Sequence, residues 1–249
     1  MCNNKFIFIC GLHRSGTSLL YKILKEQHNI SGFSETCAIE DEGQHLQSVF
    51  NPANKYGGPG KFGLNKDSYL DEKSSLINEK NRKILFKEWS QHWDLSKEYL
   101  IEKSPPNLIR TRFLQALFPN SYFITIVRHP VATSIATKKW SKSSYSSLLY
   151  HWIVCHKKYR NDKEKIKNTL EIKYEDLIEN TEKTLQSISN FIGTEIITNQ
   201  IEIKSNINKK YFKKWISMKK SIFYRFIINY NEKRFEKEIN QFNYSFKNI

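Results

Sequence analysis

Cysteine is scarce in this 249-residue chain: Cys2, Cys10, Cys37 and Cys155, with no C-x-x-C pair. That excludes a disulfide framework and fits free thiols in a reducing compartment. The seven histidines include no H-E-x-x-H and no cluster at metal-ligand spacing, so no metal site is expected. Uninterrupted apolar runs are short. The longest candidate, residues 221–230, is cut by Arg225 and falls well below the roughly 18–20 residues of a membrane span. Residues 6–10 are too few for a signal peptide and lack a small-residue cleavage site after them. These absences predict a cytoplasmic, unprocessed chain without a transmembrane segment. No internal repeat is present. Acidic residues are the minority charge, 25 Asp and Glu against 40 Lys and Arg, which leaves +15 and favours an anionic ligand or partner.

What the chain does have is enough apolar and aromatic residues, 39% and 14%, for one sizeable core. Residues 5–10 read as a buried strand and 17–28, with Leu19, Leu20, Ile23 and Leu24, as a helix. Residues 31–75 read as irregular and 75–93 as a helix. A strand at 100–102 precedes a helix from Pro105 to about 118, since proline is tolerated in a first turn. The clearest strand is 122–127, followed by a helix from Pro130 to about 139 and another over 147–159. A strand at 170–174 and a helix over 181–192, closed by Gly193, complete the pattern. Strands alternating with helices predict parallel β-α-β units: an α/β, three-layer fold with a central parallel sheet flanked by helices.

The one compositional boundary lies near residue 205. It suggests an α/β domain over 1–205 and a basic, aromatic, helical extension over 206–249 packed on the same domain. Residues 208–249 hold eleven Lys or Arg and three Glu, a net +8, against +7 for the preceding 207 residues. Within this tail Phe223, Phe226, Ile227 and Tyr230 recur at helical spacing, which reads as a core face with lysines solvated opposite.

Residues 11–18, Gly11-Leu-His-Arg-Ser-Gly16-Thr17-Ser18, carry the Walker A spacing of two glycines followed by Thr and Ser, between a strand and a helix. The glycines permit the tight turn, and the loop amides with the helix N-terminus offer positive potential to a phosphate, which makes the fold P-loop-type. The lysine that a nucleoside-triphosphate enzyme places after the second glycine is here Thr17, and the cation sits inside the loop as Arg14. Such a loop suits a terminal phosphate better than metal-assisted γ-phosphoryl transfer.

Three segments together resemble the sulfotransferases that use 3′-phosphoadenosine 5′-phosphosulfate (PAPS). Arg14-Ser15-Gly16-Thr17-Ser18 is similar to their 5′-phosphosulfate loop, which implies 5′-phosphate contacts from Arg14, Ser15, Gly16, Thr17 and Ser18. Ile126-Val127-Arg128-His129-Pro130 resembles their 3′-phosphate motif of strand end, Arg and Pro-initiated helix; Arg128 thus lies at a strand's carboxyl end, with a guanidinium suited to bidentate phosphate binding. The family's serine eight positions after that arginine is Ala136 here, and Ser134 or Thr137 stands ready to replace it. Lys173-Tyr174-Glu175-Asp176-Leu177 resembles the family's Tyr-Glu-Asp motif, which places Tyr174 near the adenosine.

Sulfuryl transfer needs a base for the acceptor hydroxyl and positive charge for the leaving phosphate oxygen. Gly32-Phe-Ser-Glu35-Thr36 resembles an element of the tyrosylprotein-sulfotransferase-like branch in which the glutamate is the base. Glu35 is the corresponding residue, with Glu40, Asp41 and Glu42 as competitors and His45 as the imidazole alternative. Leu100-Ile-Glu-Lys103-Ser-Pro105 resembles the strand-Lys-x-Pro element that places a lysine, here Lys103, at the bridging oxygen. The resemblance spans roughly residues 5–195 and is nearest a bacterial-type subgroup. The segment from Asn208 to Trp215 only faintly echoes the end of some relatives, although Lys209, Lys210, Lys213 and Lys214 are available to an anionic group. The resemblance implies a PAPS-dependent sulfotransferase acting on a hydroxyl-bearing acceptor, which the basic tail favours as anionic, with no specific nucleic acid and no metal. A P-loop kinase or nucleotide hydrolase and a non-enzymatic polyanion binder are the alternatives.

Overall fold

The computed structural model describes residues 4–197 and 206–249. Five strands, β1 (Lys5–Cys10), β2 (Ile30–Gly32), β3 (Tyr99–Lys103), β4 (Ser121–Val127) and β5 (Thr169–Lys173), form one sheet in the order β2-β3-β1-β4-β5. Every adjacent pair is parallel, with Phe8 opposite Glu102 and Phe123, and Val127 opposite Lys173. Nine helices cover it among the described residues: α1 (Thr17–Lys25), α2 (Glu79–Ser90), α3 (Thr111–Leu117), α4 (Pro130–Thr137), α5 (Tyr145–Lys163), α6 (Tyr174–Glu179), α7 (Thr181–Ile192), α8 (Ile207–Lys220) and α9 (Ile222–Asn240). The expected three-layer α/β fold is the one observed.

The alternation of side chains along a strand divides the core in two. Ile7 and Ile9 of β1 join Ile101, Ile124, Ile126 and Ile172 against α1, α6 and α7. Phe6, Phe8 and Cys10 face the other way, into a larger aromatic cluster with Trp89 of α2, Phe113 of α3 and Trp152 of α5. Both faces are covered, as a parallel sheet requires. The C-terminal hairpin contributes to the second cluster: α8 packs on α4 and α9 on α5, and Trp215 is fully buried with its indole N–H donating to Glu232 Oε1 at 3.0 Å.

Four local expectations need correction. Residues 31 and 32, read as the start of an irregular stretch, join Ile30 in the short edge strand β2. Only three residues pair, and two of them, Ser31 and Gly32, carry no strand signal. The helix expected from Pro105 is a 3₁₀ turn (Pro105–Ile109) and then α3, broken at Arg110. Arg110 leaves the helical conformation to turn its guanidinium inward, donating from Nε to Ser68 O at 3.0 Å and from Nη2 to Asn51 O at 3.1 Å. It thereby ties the long 33–78 connection to the core. Tyr174 opens α6 instead of ending β5. Finally, Phe223, Phe226, Ile227 and Tyr230 are not a core face. They are exposed, and the buried face of α9 is Ile228, Asn231, Phe235 and Ile239. Among the described residues no helix is long and apolar enough to cross a membrane.

Candidate functional site

The glycine loop leaves the central strand β1 at the carboxyl edge of the sheet, where ligands of open α/β sheets bind. Its last residue, Gly16, has φ +103°, and a Cβ there would lie 2.3 Å from Tyr174 Cδ2. A side chain is therefore excluded both by backbone conformation and by the ring beside it. Ser15 closes the turn from inside, its hydroxyl donating to Leu12 O at 2.7 Å and its amide to the same oxygen at 3.0 Å. Arg14, itself at φ +67°, is exposed. Its guanidinium lies 4.8 Å from the Trp140 ring centre and makes no hydrogen bond or ion pair among the described residues. The loop thus holds one cation uncommitted.

Arg128, one residue past the end of β4, sits across from that loop. Its Nε and Nη2 donate to Asn208 Oδ1 at 2.8 and 2.6 Å, and Nη1 donates to Arg14 O at 2.8 Å. The guanidinium is stacked 4.1 Å from the Tyr174 ring centre and 5.3 Å from that of Tyr211. Burial lowers its pKa from the usual arginine value, though not enough to threaten the charge. Asn208 in turn donates to Glu175 Oε1 at 2.6 Å, and Glu175 also receives the His129 amide and the Tyr244 hydroxyl. Arg128 therefore joins the loop, β4, α6 and α8 at one point.

Beneath the loop lies Lys103, the last residue of β3 and almost fully buried. Its ammonium donates to Glu40 O at 3.0 Å and to Glu42 Oε1 at 3.1 Å. Those acceptors belong to an acidic segment in which Glu35, Glu40 and Asp41 all hold positive φ, a costly conformation for non-glycine residues. Asp41 helps hold the segment. Burial raises its pKa, but hydrogen bonds from Thr36 Oγ1 and N more than offset this and leave it below the usual carboxylate value. The Glu40 carboxylate reaches the Ser18 hydroxyl at 3.2 Å.

These parts enclose a cleft of about 390 Å³ lined by Arg14, Gly16, Thr17 and Ser18 from the loop, Glu40 and Glu42 from the acidic segment, and Arg128, Tyr174, Lys210 and Tyr211. Arg14, Arg128 and Lys210 oppose the two carboxylates there. A site built for an anion at a glycine loop on a parallel sheet has a counterpart in known proteins: the sequence model of the sulfotransferase family matches residues 7–198.

The chain belongs to the sulfotransferase family.

A comparison with curated protein sequences gives no match. Solved sulfotransferase structures have a similar fold. The sulfotransferase domain from the curacin biosynthetic pathway is 17% identical, with 82% of this chain and 80% of that one covered at a TM-score of 0.52. The sulfotransferase domain of the Synechococcus PCC 7002 olefin synthase is 18% identical, with 79% and 76% covered and a TM-score of 0.51. The sulfotransferase from Alicyclobacillus acidocaldarius is 17% identical, with 84% and 90% covered and a TM-score of 0.50. The family match ends before α8, so Lys210 and Tyr211 reach the cleft from outside the matched segment.

Within this sulfotransferase, the residues expected at the site fall into two groups. Arg14, Gly16, Thr17, Ser18, Arg128 and Tyr174 line the cleft together. Ser15, Lys103, Glu35, His45, Ser134 and Thr137 are not among its lining residues. Ser15 and Lys103 are buried immediately behind it. Glu35 is exposed, and His45 Nε2 lies 4.0 Å from Glu42 Oε2. Ser134 and Thr137 line a separate small gap with Leu12, His13 and His151. There Ser134 Oγ has no partner among the described residues, and Thr137 Oγ1 donates to His13 O at 3.3 Å. Ala136, where the family has its serine, is buried. Trp140, Asn208 and Tyr211 escaped notice as site residues. The faint 208–215 echo held a signal for the last two, whereas nothing local marks Trp140.

Proposed function

We propose that this sulfotransferase moves a sulfuryl group from PAPS to the hydroxyl of an acceptor. The observation that carries the reading is the convergence of Arg14, Thr17, Ser18 and Arg128 on one cleft at the carboxyl edge of the sheet. The fit is chemical as well as spatial. Gly16 leaves the loop open beside Tyr174, Arg14 is uncommitted, and Arg128 has used three of its five N–H donors, which leaves two for a phosphate. Arg14, Thr17 and Ser18 are assigned to the 5′-phosphate and Arg128 to the 3′-phosphate. The Tyr174 ring, between Gly16 and the Arg128 guanidinium, fixes that cation more directly than it offers a face to adenine.

In the transfer, the acceptor hydroxyl gives its proton to a carboxylate as its oxygen bonds sulfur. The bond between sulfur and the bridging oxygen breaks, and its electron pair remains on the 5′-phosphate of adenosine 3′,5′-bisphosphate. Glu42 is placed better for the proton than Glu35 or His45, because it lines the cleft beside Lys103. Lys103 has two of its three N–H groups committed and one left for the developing charge. Lys103→Met is expected to lower kcat by about 10²–10³ with little change in bisphosphate affinity, the usual cost of removing one donor that stabilises a transition state. Transient kinetics on the folded variant would show this, and an unchanged kcat would remove Lys103 from the chemistry.

The experiment that tests the whole reading is thermal unfolding with adenosine 3′,5′-bisphosphate, 5′-AMP, or ATP with magnesium. A ligand at about 100 times its Kd adds about 2.7 kcal/mol, which raises the midpoint by roughly 5–11 °C in a domain of this size. A shift with the bisphosphate alone is expected. A shift with magnesium-ATP alone would overturn the proposal in favour of phosphoryl transfer.

A further inference from the structure

The α8–α9 hairpin carries a surface that the cleft does not use. Ile222, Phe223 and Phe226 are 80%, 88% and 79% exposed, and Ile227 and Tyr230 are about half exposed. Phe223, Phe226, Ile227 and Tyr230 stand at i, i+3, i+4 and i+7, so they form one continuous stripe along α9, opposite its buried face. Ile222 extends the stripe to the hairpin tip. The part of the hairpin that carries most of the stripe has charge of one sign in sequence, its carboxylates beginning only at Glu232. Residues 206–231 contain seven Lys or Arg and no Asp or Glu. Of these, Lys213, Lys214, Lys220 and Arg225 are exposed and make no ion pair among the described residues. Farther along α9, Lys233 and Arg234 flank the stripe, with Arg234 Nη1 donating to the Tyr230 hydroxyl at 3.2 Å.

We propose that this hairpin docks on the surface of an anionic lipid bilayer, with the α9 stripe in the headgroup–acyl boundary and the surrounding lysines and arginines on the lipid phosphates. The charge pattern selects the partner. Two copies of the hairpin packed face to face would bring its seven cations of residues 206–231 together, while two of the three carboxylates farther along α9 are already engaged, Glu232 with Lys219 and Glu236 with Ser245 and Phe246. An exposed helix face bearing bulky aliphatic and aromatic side chains, on a hairpin with exposed cations, has the make-up of an interfacial helix. Each cation near an anionic surface adds about 1 kcal/mol, and the stripe adds the burial of its apolar area. One consequence rests on the proposed sulfuryl transfer. Lys210 lines the cleft, and at about 1.5 Å per residue Lys220 lies roughly 15 Å farther along α8, so docking brings the cleft near acceptors at the bilayer surface.

The test uses the full chain, sedimented with equimolar phosphatidylcholine–phosphatidylglycerol vesicles or with phosphatidylcholine alone at physiological salt. Strong partition to the mixed vesicles and little to the neutral ones is expected. F223S/F226S and K220E/R225E should each lower that partition about tenfold or more, as loss of about 2 kcal/mol requires. Thermal midpoints should be unchanged, because all four side chains are exposed. Absent or charge-indifferent binding would overturn docking, as would binding that K220E/R225E abolishes and F223S/F226S leaves intact. A dimer by light scattering that F223S/F226S dissociates would assign the stripe to a second copy instead. Vesicle binding without a bisphosphate-induced thermal shift would leave docking standing and remove the proposed cofactor.

Discussion

Arg128→Ala is expected to weaken binding of adenosine 3′,5′-bisphosphate by a factor of about 10²–10⁴. Two N–H donors of the guanidinium remain after its bonds to Asn208 and Arg14 O, and each charge-assisted bond to phosphate is worth about 1.5–3 kcal/mol. Their sum, roughly 3–6 kcal/mol, gives the predicted factor at about 1.4 kcal/mol per decade. The variant also removes the cation between the Tyr174 and Tyr211 rings and leaves Asn208 Oδ1 without its two donors, so some loss of stability accompanies the loss of affinity. Asn208→Ala separates the two effects. It frees α8 from Arg128 while keeping the guanidinium, and should cost less affinity than Arg128→Ala. Titration calorimetry on folded protein decides the matter, and unchanged affinity in Arg128→Ala would move the 3′-phosphate elsewhere.

Why Arg128 was legible in the sequence and its partners were not is a matter of distance along the chain. The strand 122–127, the arginine after it and the proline that opens α4 are contiguous, so pattern and chemistry coincide in a few residues. The same holds for β1, the glycine loop and α1. Asn208 lies 80 residues from Arg128, and only the packing of α8 on α4 brings them together. The acidic segment shows the opposite limit. Its carboxylates were evident as candidates, but their ranking depended on backbone that leaves the common regions at Glu35, Glu40 and Asp41, in a segment that puts Glu40 and Glu42 on the cleft wall and leaves Glu35 off it. Nothing in residue type announces that. Ser134 and Thr137 fell on the wrong side of the glycine loop for the cleft because α4 presents them to Leu12 and His13. The apolar stripe of α9 misled for a simpler reason. Helical spacing of apolar residues records a face, not what covers it, and here the buried face is the one carrying Ile228, Phe235 and Ile239.

Acidification is expected to unfold this protein well above the pH at which carboxylates titrate. Burial lowers the pKa values of His13, His129, His151 and His156 from 6.5 to about 3, about 4, about 3 and about 4. Their hydrogen bonds agree with neutral rings. His129 Nδ1 accepts the Val131 amide at 3.2 Å, a cap on α4 that protonation would break. His156 donates from Nδ1 to Trp152 O at 2.7 Å, and its buried Nε2 has no acceptor for a second proton among the described residues. Since each folded pKa is depressed, the unfolded chain takes up protons first, and stability is lost as pH falls below 6.5. Glu102 acts in the opposite sense. Burial raises its pKa to about 7, against hydrogen bonds from Ser104 and Asn107, so the folded state holds a carboxyl proton that the unfolded state releases above 4.5. Between pH 5 and 6 the four histidines, less the Glu102 proton, leave the folded protein with about two to three protons fewer than the unfolded one, and stability falls by roughly 2.7–4 kcal/mol per pH unit. Across that one unit the loss is a large part of the stability of a marginal domain. Urea unfolding at pH 7.5, 6.0 and 5.0 measures the slope, and two variants identify its sources. His156→Phe keeps the ring packed between Trp152 and Phe242 and should flatten the slope by about one proton. Glu102→Gln removes the opposing carboxyl and should steepen it by the same amount. A slope that neither variant moves would mean that these buried groups do not set the acid limit.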